Sequence, residues 1–164
     1  MLASMQVERH VAQINIARAI APLTDPRMAE FVAQLAEINA LADAHPGFVW
    51  RLQTDAGDAT AIVAFDDPAI IVNMSVWESV DALHAFVYRG DHVRVLRDRK
   101  KWFSPMSGPY YALWWVAPGH TPGVEEGKER LEYLSKHGPS EHAFWFVERV
   151  APDGTALPRR APGA

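Results

Sequence analysis

Gln13, Asn15, Asn73, Ser75 and Trp77 fall on one alternation phase of two strand-like segments, and Arg51 and Gln53 share that phase on a third. Amides, a hydroxyl, an indole N–H and a guanidinium gathered on one sheet face can hydrogen-bond an oxygen-bearing ligand or stabilise an oxyanion. A buried amide left without a partner costs about 1–3 kcal/mol, so these groups need each other, water or a ligand. The same pattern also suits a satisfied network at a seam between two copies of the chain. His84, Tyr88 and His92 recur every fourth residue, although Gly90 interrupts any single helix through them. If Asp91 caps a new helix, His92 sits in its first turn, where the helix dipole disfavours imidazolium and leaves a neutral nitrogen able to act as a ligand.

Arg89, Arg94, Arg97, Arg99, Lys100 and Lys101 form a basic run. It reads as a solvated helix face, or as a receiver for a carboxylate, a phosphate or haem propionates at the mouth of a pocket. Six Trp and four Tyr sit largely in strand-like segments. Such aromatics build either a core with an interface or a pocket for a flat ligand.

The remaining composition narrows the chemistry. Cys is zero, which excludes disulfides, thiolate nucleophiles and Cys-based zinc sites. The net charge of −4 argues against nucleic acid as a partner. Nucleophile-elbow, zinc-protease, P-loop and dinucleotide motifs are missing. No apolar run approaches the roughly 20 residues of a membrane span, and MLASMQVERH lacks a signal-peptide core, so a cytoplasmic protein is expected.

Periodicity supplies the elements that must position these groups. Strands are expected at His10–Ile20, at Phe48–Gln53 with Phe48, Trp50 and Leu52 on one side, and at Ile70–Trp77. Others are expected at Tyr110–Val116 and Ala143–Val150, and a short strand or extended arm at Ala59–Phe65. Asp25-Pro26 opens a helix carrying Met28, Phe31, Leu35, Ile38 and Ala42, and His45-Pro46-Gly47 closes it. Ser79 caps a second helix, His92 to about Lys101 forms a third, and Thr121-Pro122 starts a fourth that ends at Gly138-Pro139. The order β-α-β-β-α-β followed by α-β predicts a ferredoxin-like α+β fold with helices on one face of an antiparallel sheet. One domain over residues 8–150 and a Pro/Gly-rich mobile tail over 151–164 complete the expected layout. Large apolar residues on both strand faces, with helices for only one, lead to the expectation of a homodimer joined through its sheets. Alternation alone leaves open whether a pocket lies under the helices or inside such a barrel.

HVAQINIAR, INALADAHPGFVWRL, NMSVWESVDALHAFVYRGDH with its basic tail VLRDRKKWF, and YYALWWVAPGHTP together resemble an uncharacterised bacterial family, DUF3291, of the dimeric α+β barrel superfamily. The resemblance spans about His10 to Val150. It is distantly similar to antibiotic-biosynthesis and haem-degrading monooxygenases. Similarity to the haem-degrading enzymes implies Asn15 on the first strand and His92 as iron ligand, with Trp77 at a strand end where those enzymes carry a helix Trp. Similarity to cofactor-free members implies Asn15 or Asn73, Trp77, Tyr88 and Arg51 around a polycyclic phenol. The expected catalytic group is therefore Asn15, Trp77, His92 and Arg51, with Asn73, Tyr88, Gln13 and Trp50 binding the ligand. The expected function is binding of a small apolar or aromatic molecule, with monooxygenase-like chemistry that is cofactor-free or haem-dependent. The alternative is a non-catalytic binding or dimeric interaction module.

Overall fold

A computed structural model of the chain describes residues 7–90 and 92–159. Asp91, the expected cap, and the tail beyond residue 159 lie outside them. The central strand β1 (His10–Ala19) is flanked by β3 (Ile70–Trp77), which pairs in turn with β2 (Phe48–Arg51). On its other edge β1 pairs first with β5 (Tyr111–Val116) over His10–Asn15 and then with the short β4 (Phe103–Ser104) at Arg18 and Ala19. All pairings are antiparallel. This is the expected ferredoxin-like α+β arrangement.

Pleating sends Ala12, Ile14 and Ile16 to one face, where Val72, Met74, Val76, Ala112 and Trp114 join them in an apolar core. Helix α4 (Val124–His137) closes that core through Leu131 and Leu134. It approaches so closely at Gly127 that a Cβ there would lie 2.9 Å from Ile14 Cδ1 and 3.0 Å from Met74 Cε. The chain's own last helix thus packs on the face for which the sequence leads to the expectation of a second copy.

The opposite face carries α1 (Ala29–Ala44), α2 (Val80–Tyr88) and α3 (His92–Asp98). Asp25 accepts the Arg27 N–H to start a 3-10 turn through Pro26–Met28, and α1 continues from it. Ser79 Oγ accepts the Ala82 N–H, as an N-cap should. At Gly90 the backbone turns to φ +85°, which separates α2 from α3.

Four expectations change. Ala59–Phe65 forms no strand: residues 60–61 turn and residues 62–64 carry no regular structure, which leaves the extended-arm alternative. Ala143–Val150 pairs with the sheet only at Phe144, bridged to Leu113. Helix α4 begins at Val124 with Gly123 as its N-cap, so Thr121 and Pro122 precede the helix. Finally, a bulge between Phe48 and Trp50 breaks the alternation of β2. Phe48 therefore packs with Trp77 on the helix-covered face, whereas Trp50 joins the α4 core.

Candidate functional site

A cavity of about 240 Å³ lies between the sheet and helices α1–α3. Its floor is the polar phase of β1 and β3. Gln13 stands directly opposite Ser75, and Asn15 opposite Asn73. Gln13 Nε2 donates to Asn73 Oδ1 (2.6 Å) and Ser75 Oγ (2.8 Å), and Trp77 Nε1 donates to the same hydroxyl (2.9 Å). Gln13 and Ser75 are buried; Asn15 and Asn73 are exposed to the opening. With its carbonyl oxygen engaged, Asn73 keeps its amide N–H groups for a ligand.

The roof is unusual for a helical layer. Leu35 and Ile38 of α1, Phe86 and Val87 of α2, and Val95 and Leu96 of α3 are only half-buried, and all six line the cavity. Phe86, Val87, Leu35 and Val95 pack against buried clusters on one side and border the cavity on the other. A more open groove of about 310 Å³ runs between α1 and residues 56–60 and shares Leu35, Asn39, Asp58 and Thr60 with the cavity.

Of the expected site residues, all but Trp50 line this space. Trp50 faces the α4 core because of the β2 bulge and does not line this cavity. Trp77 is 1% exposed, stacked on Phe86 at 5.2 Å and met edge-on by Phe48 at 5.4 Å. Its N–H is engaged, so it contributes an apolar wall.

Arg51 is also committed. Its Nε and Nη2 fork onto Asp43 at 2.7 and 3.3 Å, and Nη1 donates to the Gly57 carbonyl at 2.7 Å. The guanidinium fastens the 54–58 turn and α1 to the edge strand, which reduces its value as an oxyanion donor. Tyr88 is half-exposed at the opening, its ring against His84 and Phe146.

His92 enters at the α2–α3 break, where its Nδ1 lies 3.1 Å from the Val87 carbonyl. That carbonyl accepts only from a protonated nitrogen, so Nδ1 carries the proton and Nε2 keeps its lone pair. Burial lowers the His92 pKa, with the Val87 bond opposing, and favours this neutral form. Phe86 holds the ring from the side at 4.9 Å.

Tyr111, Tyr110 and Arg99 also line the cavity, outside the expected catalytic and binding residues. Tyr111 pairs with Asn15 in the β1–β5 ladder, and its hydroxyl accepts the Phe146 N–H at 3.3 Å. Burial pushes its pKa up, so the phenol stays protonated. Tyr110 and Arg99 stand beside it, with Arg99 Cζ 4.6 Å above the Tyr110 ring. Elsewhere the basic run is surface: Arg94 meets Glu37, while Arg97 and Lys101 share Asp98. Among the described residues no group of three or more His, Asp or Glu could hold a metal ion. None of their helices is long and apolar enough to cross a membrane.

Fold and site together define an α+β protein with a partly apolar cavity between its sheet and three covering helices. The chain belongs to the family described as Domain of unknown function (DUF3291), whose model matches residues 10–160. No curated protein matches the sequence. Among solved structures it is similar to the NE2512 protein of unknown function from Nitrosomonas europaea, at 13% identity and TM-score 0.48 over 71% of this chain and 98% of that one. It is similar to SnoaB, a cofactor-independent oxygenase from Streptomyces nogalater, at 19% identity and TM-score 0.45 over 70% of this chain and 98% of that one. A third is the monooxygenase ActVA-Orf6 of Streptomyces coelicolor in complex with nanaomycin D, at 18% identity and TM-score 0.40 over 70% and 90% of the two chains.

Proposed function

We propose that the cavity binds a small, largely apolar or aromatic molecule carrying oxygen functions. The observation that carries this reading is the half-buried roof of Leu35, Ile38, Phe86, Val87, Val95 and Leu96 set over a polar floor of amides. Burying such a side chain from full exposure is worth about 1.5–3 kcal/mol, and a ligand that fills the space recovers the part of it the fold leaves undone. The volume is just under the roughly 300–1,000 Å³ of drug-sized ligand sites and suits a one- or two-ring molecule.

The chemistry we favour is cofactor-free oxygenation. His92 Nε2 takes a proton from an activated methylene, and the Asn15 and Asn73 amides hold the negative charge on the adjoining oxygen. The carbanion reacts with O₂, and the methylene and O₂ become a carbonyl and water. Haem suits the site less well. His92 has the orienting Nδ1 bond that an axial ligand needs, but a porphyrin exceeds most drug-sized ligands and the cavity is smaller than their usual sites.

A thermal-shift screen of one- and two-ring phenols, quinols and aromatic acids tests the binding reading. A ligand at 100 times its Kd adds about 2.7 kcal/mol of stability, a clear rise in Tm. If no compound raises Tm, the half-buried roof is a packing feature and the interaction-module alternative gains. For a compound that does bind, oxygen uptake lost in His92→Gln supports the oxygenase step. Binding without oxygen uptake argues against it.

A further inference from the structure

Among the described residues two arginines line the cavity, and their charges are treated differently. Arg51 is neutralised by Asp43 through a forked pair. Arg99 has no such partner: among the described residues no ion pair or side-chain hydrogen bond engages its guanidinium, whose Cζ lies 4.6 Å over the Tyr110 ring. Its neighbour Asp98 is taken by Arg97 and Lys101.

The two arginines stand at opposite edges of the sheet. Arg51 is on β2 across from Ser75, whereas Tyr110 just precedes β5 and its carbonyl accepts the Ile16 N–H at 2.8 Å. Edge to edge this spans three inter-strand spacings, about 14 Å. Among the described residues the carboxylate that lines the cavity is Asp58, at the Arg51 end, where its Oδ1 accepts the Thr60 N–H at 2.9 Å and lies 2.5 Å from the Thr60 hydroxyl oxygen. At the Arg99 end the guanidinium rests on Tyr110, which is uncharged, and among the described residues no ion pair engages it.

We infer that Arg99, resting on Tyr110, is an anion subsite, and that the ligand is an apolar or aromatic molecule bearing a single carboxylate. This rests on the cavity reading above and names the class of molecule within it. An uncompensated guanidinium at the rim of an apolar space gains most from a planar anion that it can grip with two parallel N–H bonds. Stacking on Tyr110 holds the fork in place before the ligand arrives. Among the described residues that line the cavity Arg99 is the one guanidinium without an acidic partner, which matches one carboxylate, whereas a phosphate dianion would call for a second cation.

The test compares naphthalene-2-carboxylate with naphthalene-2-carboxamide by isothermal titration calorimetry at low salt. Wild type is expected to bind the acid about tenfold more tightly, the gain of one charge-assisted contact at a partly solvated site. Arg99→Gln should bring the two compounds within about twofold by weakening the acid alone. Binding of the amide by that variant shows that the cavity is intact. Arg97→Gln removes the same charge from an exposed position and should leave the preference unchanged, which separates contact from long-range field. Equal affinities in wild type, or an undiminished preference in Arg99→Gln, overturn the anion subsite while amide binding keeps the cavity reading alive. Failure of both compounds to bind wild type overturns both.

Discussion

Across the β1–β3 ladder, Gln13 Nε2 lies 2.8 Å from Ser75 Oγ, with both side chains buried and the two residues in direct register. The Ser75 oxygen also accepts the Trp77 N–H, so a single hydroxyl satisfies two buried donors. Ser75→Ala leaves the indole N–H without its acceptor and deprives Gln13 of one. The expected loss is about 1–3 kcal/mol, read as a lower urea midpoint at unchanged slope. A variant within about 0.5 kcal/mol of wild type would show that water replaces the hydroxyl.

Arg51 is expected to matter for stability and not for ligand preference. Arg51→Ala strands Asp43 and the Gly57 carbonyl, and about 1–2 kcal/mol should be lost, since Asp43 is half-exposed. Arg51→Lys should recover only part of that, because an ammonium cannot fork. Chemical denaturation gives the stabilities. A preference for the naphthalene acid that disappears in Arg51→Ala would move the anion contact to this end of the cavity.

Acid sensitivity follows from His92. Its folded pKa lies below the ordinary value of about 6.5, so below that pH the unfolded chain takes up the proton more readily. The stabilising contribution is therefore complete above pH 6.5 and is lost as pH falls through the folded value. His84 shifts in the same direction, through burial and the Arg89 and Arg149 charges, and adds to the effect. Urea midpoints measured from pH 7.5 down to 5 should fall less steeply in His92→Gln than in wild type. Parallel profiles would mean that His84 alone carries the dependence.

Gly127 marks where α4 comes nearest the sheet. Gly127→Leu drives a branched side chain into Ile14 and Met74 and should cost about 1–3 kcal/mol despite its better helix propensity. Thermal unfolding checks this. A more stable variant would show that α4 can ride outward at no cost.

Much of the frame could be read from residue order, because it depends on local signals. Asp25-Pro26, Ser79 and Gly90 start or stop helices by chemistry confined to a few residues, and each acts where expected. The polar phase of β1 and β3 was legible for the same reason, since pleating fixes which side chains share a face. What the sequence hides is long-range. Phe48 and Trp50 face opposite ways through a bulge that no alternation pattern announces. AFWFVERV has strand composition, yet only Phe144 finds a free edge. Arg51 looks available until Asp43 and Gly57 close on it, whereas the basic run singles out no one residue as an anion receiver until Arg99 is seen against Tyr110. The carbonyl that fixes His92 could be anticipated in kind, but only the turn at Gly90 identifies it as Val87.

The position of α4 has a consequence for how the chain reaches this structure. Ile14 and Leu131 belong to one core although more than a hundred residues separate them. Closing so long a loop precedes any gain from the contact, which places the domain among slow folders. During synthesis β1 emerges first, and its Ala12, Ile14 and Ile16 face has no lasting cover until α4 has left the ribosome. Over that interval Ile14, Met74 and Trp114 form an adhesive apolar surface, so a chain cut before Val124 is the form most prone to aggregate and most in need of a chaperone.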